Sequence, residues 1–309
     1  MVTYTTTDLL EGIRRTAHIP VSNETFLPPA LLAIADTCMR TVVTPAIAGT
    51  RENYWVTYKD YQIENGDEIN RISIPSLTIG EGIITAKLLQ DQFFLDLDRI
   101  EIAELTSTQF SPRPLYGYYM EDNVMVLLPN GGINGTVRVW YQRIPSKLVP
   151  TSECAQVDSV AGDDVTVVSL PNTFTTETEL DICSAAPGFN VLKKDSDPTA
   201  INNLILTFDD VPQTVKVGDW VCLSGQSCVV QAPLEWIEVL VQACAVKIYE
   251  IQGYLQKMKA AQADLDRMIK MAVNVVSPRQ VQNTKYITAG GGVLGIVNDR
   301  WPYPVGRRD

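Results

Sequence analysis

Chemistry at neutral pH needs a group that can exchange protons, attack a substrate or hold a metal, and this sequence offers few. His18 is its one histidine, so histidine-based triads and HExxH zinc sites are unavailable unless that residue serves. It falls at the end of the first predicted helix, where a cation is favoured by the helix dipole, and a structural role is expected. Gly290, Gly292 and Gly295 satisfy the pattern GxGxxG. A dinucleotide site would also need a strand before them and a helix after them, within a βαβ unit of about 30 residues. Only Ile296 to Asp309 follow, interrupted by Pro302 and Pro304, so the glycines read as a hinge. In DQFFLDLDRIEIAE, Asp91, Asp96, Asp98, Glu101 and Glu104 could be drawn as cation ligands. The interleaved Phe93, Phe94, Leu95 and Leu97 instead describe an amphipathic element with a wet face. The cysteines, Cys38, Cys154, Cys183, Cys222, Cys228 and Cys244, are scattered without a CxxC pair. They are read as small core hydrophobes. The expectation is therefore no catalytic residue, no cofactor, no bound transition metal and no hydrolase activity.

The elements that could position such groups must come from a chain with 45% hydrophobic and 20% charged residues, a globular composition. The 309 residues can hold two compact units. No run approaches the roughly 18 consecutive apolar residues of a membrane span. The start, MVTYTTTDLLEGIRR, lacks a basic region followed by an apolar stretch, so synthesis in the cytoplasm is expected. The net charge is −11 and unevenly spread. From Ser277 onward five basic residues face two acidic ones, giving a tail of +3 on a body of −14. An acidic body gains nothing from counterion release, which argues against tight nucleic-acid binding.

Along the chain, Asp8 and Glu11 suit a capping box for a first helix carrying Leu9, Leu10 and Ile13. Pro28 and Pro29 fit the first turn of a second helix, with Leu31, Ile34, Ala35, Cys38 and Val42 at helical spacing and Pro45 and Gly49 as its stop. From Arg51 the period becomes two. Val124 to Leu128 and Thr136 to Tyr141, flanking PNGGING, read as a hairpin. The stretch ITAKLLQDQFFLDLDRIEIAEL fits either a short helix or an extended run. Short strands near Val165 to Leu170, Leu180 to Cys183, Leu204 to Phe208 and Trp220 to Leu223, separated by turn signals, predict an inserted sandwich-like or barrel-like module. After Pro233, Ile237, Val241, Cys244, Ile248, Ile251, Leu255, Met258, Gln262, Leu265, Ile269, Ala272 and Val276 advance by alternating steps of four and three. This is one long helix or a helical hairpin, because Gly253 weakens a helix by about 1 kcal/mol without forbidding it. The expected class is α+β: N-terminal helices over 1–50, a small β unit over 51–150, an inserted β-rich module over 151–231 and a long core helix or hairpin over 232–279. Helices from both chain ends would form a bundle-like core, and 280–309 would be an extended C-terminal arm.

In order and spacing these segments resemble the head-to-tail adaptor family of tailed bacteriophages. The likeness rests on LLAIADTCMR, on TPAIAGTRENYWVTYKDYQI followed by RISIPS and Gly80, and on AAPGFNVL, LILTF and VGDWV inside the inserted module. QAPLEW then returns the chain into the long helix. The resemblance spans nearly everything from Thr7 to Arg279 and uses apolar and turn residues, with no chemical signature. It implies a virion protein at the head-tail junction: a homo-oligomeric, dodecameric ring beneath the portal, attached to it by the C-terminal arm. Downstream tail proteins (nozzle, tube or fibre) would bind the ring, and genomic DNA would pass through the channel without specific binding or membrane contact. The arm's apolar anchors would be Tyr286, Ile287, Val293, Leu294, Ile296, Trp301 and Tyr303, with Arg300, Arg307 and Arg308 at the rim. Two other readings stand beside this one. The chain could be another tail structural protein, such as a tube or baseplate component, or a glycan-binding β module on a helical stalk. The last would need paired carboxylates and exposed aromatics, whereas Trp140, Trp220 and Trp236 are assigned core or hinge roles.

Overall fold

A computed structural model describes residues 3–22, 24–63, 71–75, 77–90, 93–102, 116–128, 133–189 and 191–276. The protein is mixed α and β. Helix α1 (Thr6–Thr16) begins three residues earlier than Asp8 and Glu11 imply: Thr5 is the N-cap and Asp8 occupies the third helical position. The Asp8 carboxylate accepts hydrogen bonds from the Thr5 N–H and hydroxyl, each at 2.8 Å. Helix α2 (Pro28–Cys38) starts on its two prolines, whose missing N–H groups cost nothing in the first turn. Pro45 does not stop this helical run. A π-helical turn over Met39–Val43 leads directly into α3 (Thr44–Ala48), and the Thr44 hydroxyl donates to the Met39 carbonyl at 2.8 Å. The wider turn absorbs the proline. By length and composition alone, Pro28–Ala48 could cross a membrane. Its Leu31, Leu32, Ala35, Cys38, Met39, Val43 and Ile47 lie in the largest apolar cluster.

The C-terminal helical pattern divides into α4 (Leu234–Ile251) and α5 (Leu255–Val276), packed on each other as a hairpin. Gly253 makes the break. It adopts φ +74°, and the bonds from Tyr254 N–H to the Tyr249 carbonyl (3.0 Å) and from Gly253 N–H to the Glu250 carbonyl (3.1 Å) complete a Schellman cap. His18 ends α1 by the same device at φ 54°, with Ile19 N–H bonded to the Arg14 carbonyl at 2.9 Å. Trp236, Leu240, Cys244 and Ile248 of α4 meet Leu9 and Ile13 of α1, Leu31 and Ala35 of α2, and Leu265 of α5 in the largest apolar cluster.

The first sheet holds β1 (Val56–Ile63), β2 (Arg71–Ser73), β3 (Thr78–Gln90), β4 (Phe93–Arg99), β5 (Gly117–Glu121), β6 (Val124–Leu128) and β7 (Gly135–Arg143), in the order β1-β7-β3-β4-β5-β6-β2. The ambiguous run over residues 84–105 is therefore extended in its described part as far as Arg99, as β3 and β4. The hairpin expected around PNGGING is not formed. β6 pairs with β5 across the tight Asp122–Asn123 turn, and β7 lies between β1 and β3. The tight turn, with Asp122 at φ 53°, captures β6 locally. Val137 and Val139 of β7 instead bury against Ala86 and Leu88 of β3.

The short β8 (Lys147–Leu148) then leads into a second sheet. This contains β9 (Ala155–Ala161), β10 (Asp164–Val167), β11 (Leu180–Cys183), β12 (Val191–Ser196), β13 (Ala200–Asn202), β14 (Ile205–Thr207) and β15 (Trp220–Leu223), ordered β12-β11-β15-β9-β10-β14-β13. It has its own apolar cluster, including Val157, Val165, Leu180, Ile182, Leu206, Phe208 and Val221. Where the chain enters and leaves, β8 pairs in parallel with β16 (Gln226–Ser227).

Candidate functional site

Strand alternation gives each sheet two faces, and the faces turned away from the apolar cores carry the polar chemistry. On β11 and β15, Ile182 and Val221 face the module's core, so Asp181, Cys183, Trp220 and Cys222 stand on the other side. Asp181 there meets Arg143, the last residue of β7, with Nη2 donating to Oδ2 at 2.6 Å and both side chains fully buried. The Asp181 carboxylate also accepts from the backbone N–H groups of Asp195 (2.9 Å) and Gly225 (3.1 Å). Burial disfavours the Arg143 cation, but Asp181 more than offsets it and the guanidinium stays protonated. Beside it, Lys59 of β1 reaches Asp195 at 3.2 Å. Lys194 of β12 donates to the Thr57 hydroxyl and to the Tyr58 carbonyl at 3.2 Å. Burial, reinforced by the nearby Arg143 charge, holds the Lys194 ammonium down to about 8. The two sheets are thus joined by a charged seam.

The outer face of the first sheet carries a second grouping. Arg138 of β7 makes a bidentate pair with Asp60 of β1, both bonds at 2.7 Å. Its guanidinium lies 4.2 Å from the centre of the Tyr58 ring, 5.4 Å from Phe94 and 5.8 Å from Trp140. Hydrogen bonding to Asp60 raises the Arg138 pKa further, so the charge is permanent. Phe94 and Tyr58 are 45% and 47% exposed, and Phe93 at the start of β4 is 74% exposed. These are large apolar groups to leave in water. Trp140 therefore belongs to a half-open aromatic face and not to the core. Trp236 is fully buried in the largest apolar cluster, and Trp220 packs against a smaller one containing Cys154, Cys222 and Cys228.

That smaller cluster is a grouping the sequence does not announce. All six cysteines are buried and free, as their reading as core hydrophobes requires, but they are not scattered. The sulfurs of Cys154, Cys222 and Cys228 lie within 4.8 Å of one another. The expectation that the chain lacks a metal-ligand cluster fails on this point. Hydrogen bonds from the thiols of Cys222 and Cys228 hold the Cys154 thiol down to about 5. The Cys183 thiol contacts Cys222, and that contact together with burial pushes it up. Cys38 and Cys244 contact each other separately, between α2 and α4.

The other residues singled out in the sequence do not converge. His18 caps α1 at the protein surface. Asp96 pairs with Lys87 at 2.9 Å across the β3–β4 ladder, while Asp91 and Glu104 lie outside the described residues. Gly290, Gly292 and Gly295 lie outside them too, as do all the arm positions: Tyr286, Ile287, Val293, Leu294, Ile296, Arg300, Trp301, Tyr303, Arg307 and Arg308. No protein-family model matches the chain, and no curated protein matches it.

Proposed function

We propose that the chain is a non-enzymatic structural subunit of a ring-forming head-to-tail adaptor in a tailed bacteriophage. On this reading the ring sits beneath the portal, forms part of the DNA channel and offers the platform on which the tail is built. Helices from both chain ends form the subunit's core, the β unit over 51–150 makes lateral contacts, the module over 151–231 faces outward, and the arm over 280–309 docks on the portal.

The observation that carries the reading is the outer face of the first sheet, where Tyr58, Phe94 and Trp140 surround the Arg138–Asp60 pair. Aromatic residues and arginine are the types enriched at the centres of protein interfaces. Ring closure multiplies a modest contact of this kind through effective concentration. A net charge of −11 is compatible with a channel past which DNA slides without sticking. The arm, with four basic residues against two acidic ones and so +2, calls for an acidic or apolar groove on the portal.

Co-sedimentation with portal rings at two salt concentrations tests the assignment. A chain ending at residue 279 is expected to fold and to lose portal binding. Trp301→Ala is expected to weaken binding more than neutralising Arg307 and Arg308, because a buried aromatic anchor contributes about 2 kcal/mol or more and rim charges less. Truncated protein that decorates portals at wild-type occupancy would refute the docking scheme.

A further inference from the structure

Three thiols from three separate segments meet where the second sheet joins the rest of the molecule. Cys154 lies on the entry segment just before β9, Cys222 on β15, and Cys228 on the exit segment just after β16. The pairing of Ala155 with Val221 sets the first two side by side, and the β8–β16 pair returns the third to them. Their exposures are 2%, 0% and 0%, and their sulfurs lie within 4.8 Å of one another.

We propose that Cys154, Cys222 and Cys228 form a structural binding site for a thiophilic divalent ion of the zinc class, with Cys183 as the fourth ligand. A tetrahedral ion with metal–sulfur bonds of about 2.3 Å holds its sulfurs roughly 3.8 Å apart, which the cluster reaches with sub-ångström movement. Cys183 stands on the same face of the β11–β15 pair, diagonal to Cys222; its sulfur lies outside the close group and accepts from Gln231 Nε2 at 3.9 Å, so a side-chain shift brings it in as the ion binds. Arg143, on the same side of the second sheet, is committed to Asp181, so a metal ion would supply the counter-charge that buried thiolates require. Complete burial leaves no open position for substrate, which makes the site structural and not catalytic.

The location gives the site a purpose. The Cys228 carbonyl accepts the Thr6 N–H at 2.8 Å, and Val149 and Val229 pack around the sulfurs. One ion would therefore staple the entry and exit of the β module to each other, next to the start of α1.

The 309-residue chain, expressed with zinc supplementation and purified under reducing conditions without chelator, provides the test. Elemental analysis is expected to find about one zinc per chain, released when the thiols are titrated with a mercurial reagent. Replacement by cobalt(II) is expected to give a thiolate-to-cobalt charge-transfer band. Cys222→Ser should lower metal affinity by about tenfold or more, whereas Cys38→Ala with Cys244→Ala should leave metal content unchanged. If Cys222→Ser fails to fold, the wild-type zinc content and cobalt spectrum still decide the matter. Wild-type protein with no stoichiometric zinc and no cobalt band would overturn the proposal. So would a disulfide among these cysteines in the freshly reduced preparation, or full zinc retention by folded Cys222→Ser.

Discussion

Asp181→Ala removes the carboxylate that faces Arg143 across the junction of the two sheets. Both side chains are 0% exposed and their bond is 2.6 Å, so water does not replace the lost partner. Arg143 Nε and Nη1 already have no hydrogen-bond partner among the described residues, and the substitution would leave the whole cation unpaired. Breaking a buried ion pair in this way costs about 3–5 kcal/mol. The N–H groups of Asp195 and Gly225 lose their acceptor as well, which places the expected cost in the upper half of that range. Asp181→Asn keeps an acceptor for them and should cost less. Arg143→Met combined with Asp181→Ala removes the stranded charge and should recover a large part of the loss. Urea unfolding of wild type, Asp181→Ala, Arg143→Met and the double variant, followed by tryptophan fluorescence and far-ultraviolet circular dichroism, gives the four free energies needed for a double-mutant cycle. A cost below about 1 kcal/mol for Asp181→Ala, the range of a surface change, would refute the buried seam.

Three further outcomes follow from particular residues. Gly253→Ala places a Cβ at φ +74° and should destabilise the α4–α5 turn by about 1–2 kcal/mol, measured by urea denaturation. Lys194 has a folded-state pKa of about 8 against an ordinary 10.5, so the penalty of burying its cation is full below pH 8 and is relieved as pH rises toward 10.5. The stability of wild type relative to Lys194→Met should therefore increase with pH across that window, and a flat difference would contradict the burial. Deleting residues 155–224 behind a short Gly/Ser linker, in an Arg143→Met background, should leave a cooperative unfolding transition. The second sheet has its own apolar cluster, whereas Val230 and Ala232 belong to the largest one and must be kept. Loss of all cooperativity would show the module to be integral.

Local order was legible where one residue type dictates backbone geometry. Pro28 and Pro29 marked the start of α2, and β10, β11, β14 and β15 fell inside or close to the runs bounded by turn signals. Gly253 was visible as a weak point, but its positive φ comes from the packing of α5 back on α4, which the heptad-like spacing did not decide. Pro45 misled because the π turn before it absorbs the proline. Strand pairing was least legible. β7 follows β6 in sequence, yet its valines match the buried face of β3, a choice made across a long separation. The thiol cluster was hidden for the same reason, since convergence depends on the register of β9 with β15. One signal was available: a module's entry and exit must meet, and Cys154 and Cys228 sit just inside its two ends. The aromatic face around Arg138 required knowing that Tyr58, Phe94 and Trp140 fall on one side of three different strands.

The mass of the 309-residue chain in solution, alone and mixed with portal rings, tests the assembly claim most directly. The chain weighs 34.2 kDa. Light scattering or native mass spectrometry is expected to find a closed homo-oligomeric ring on the portal, dodecameric if the resemblance holds. A chain that remains a stable 34.2 kDa monomer in the presence of portal would contradict the adaptor assignment.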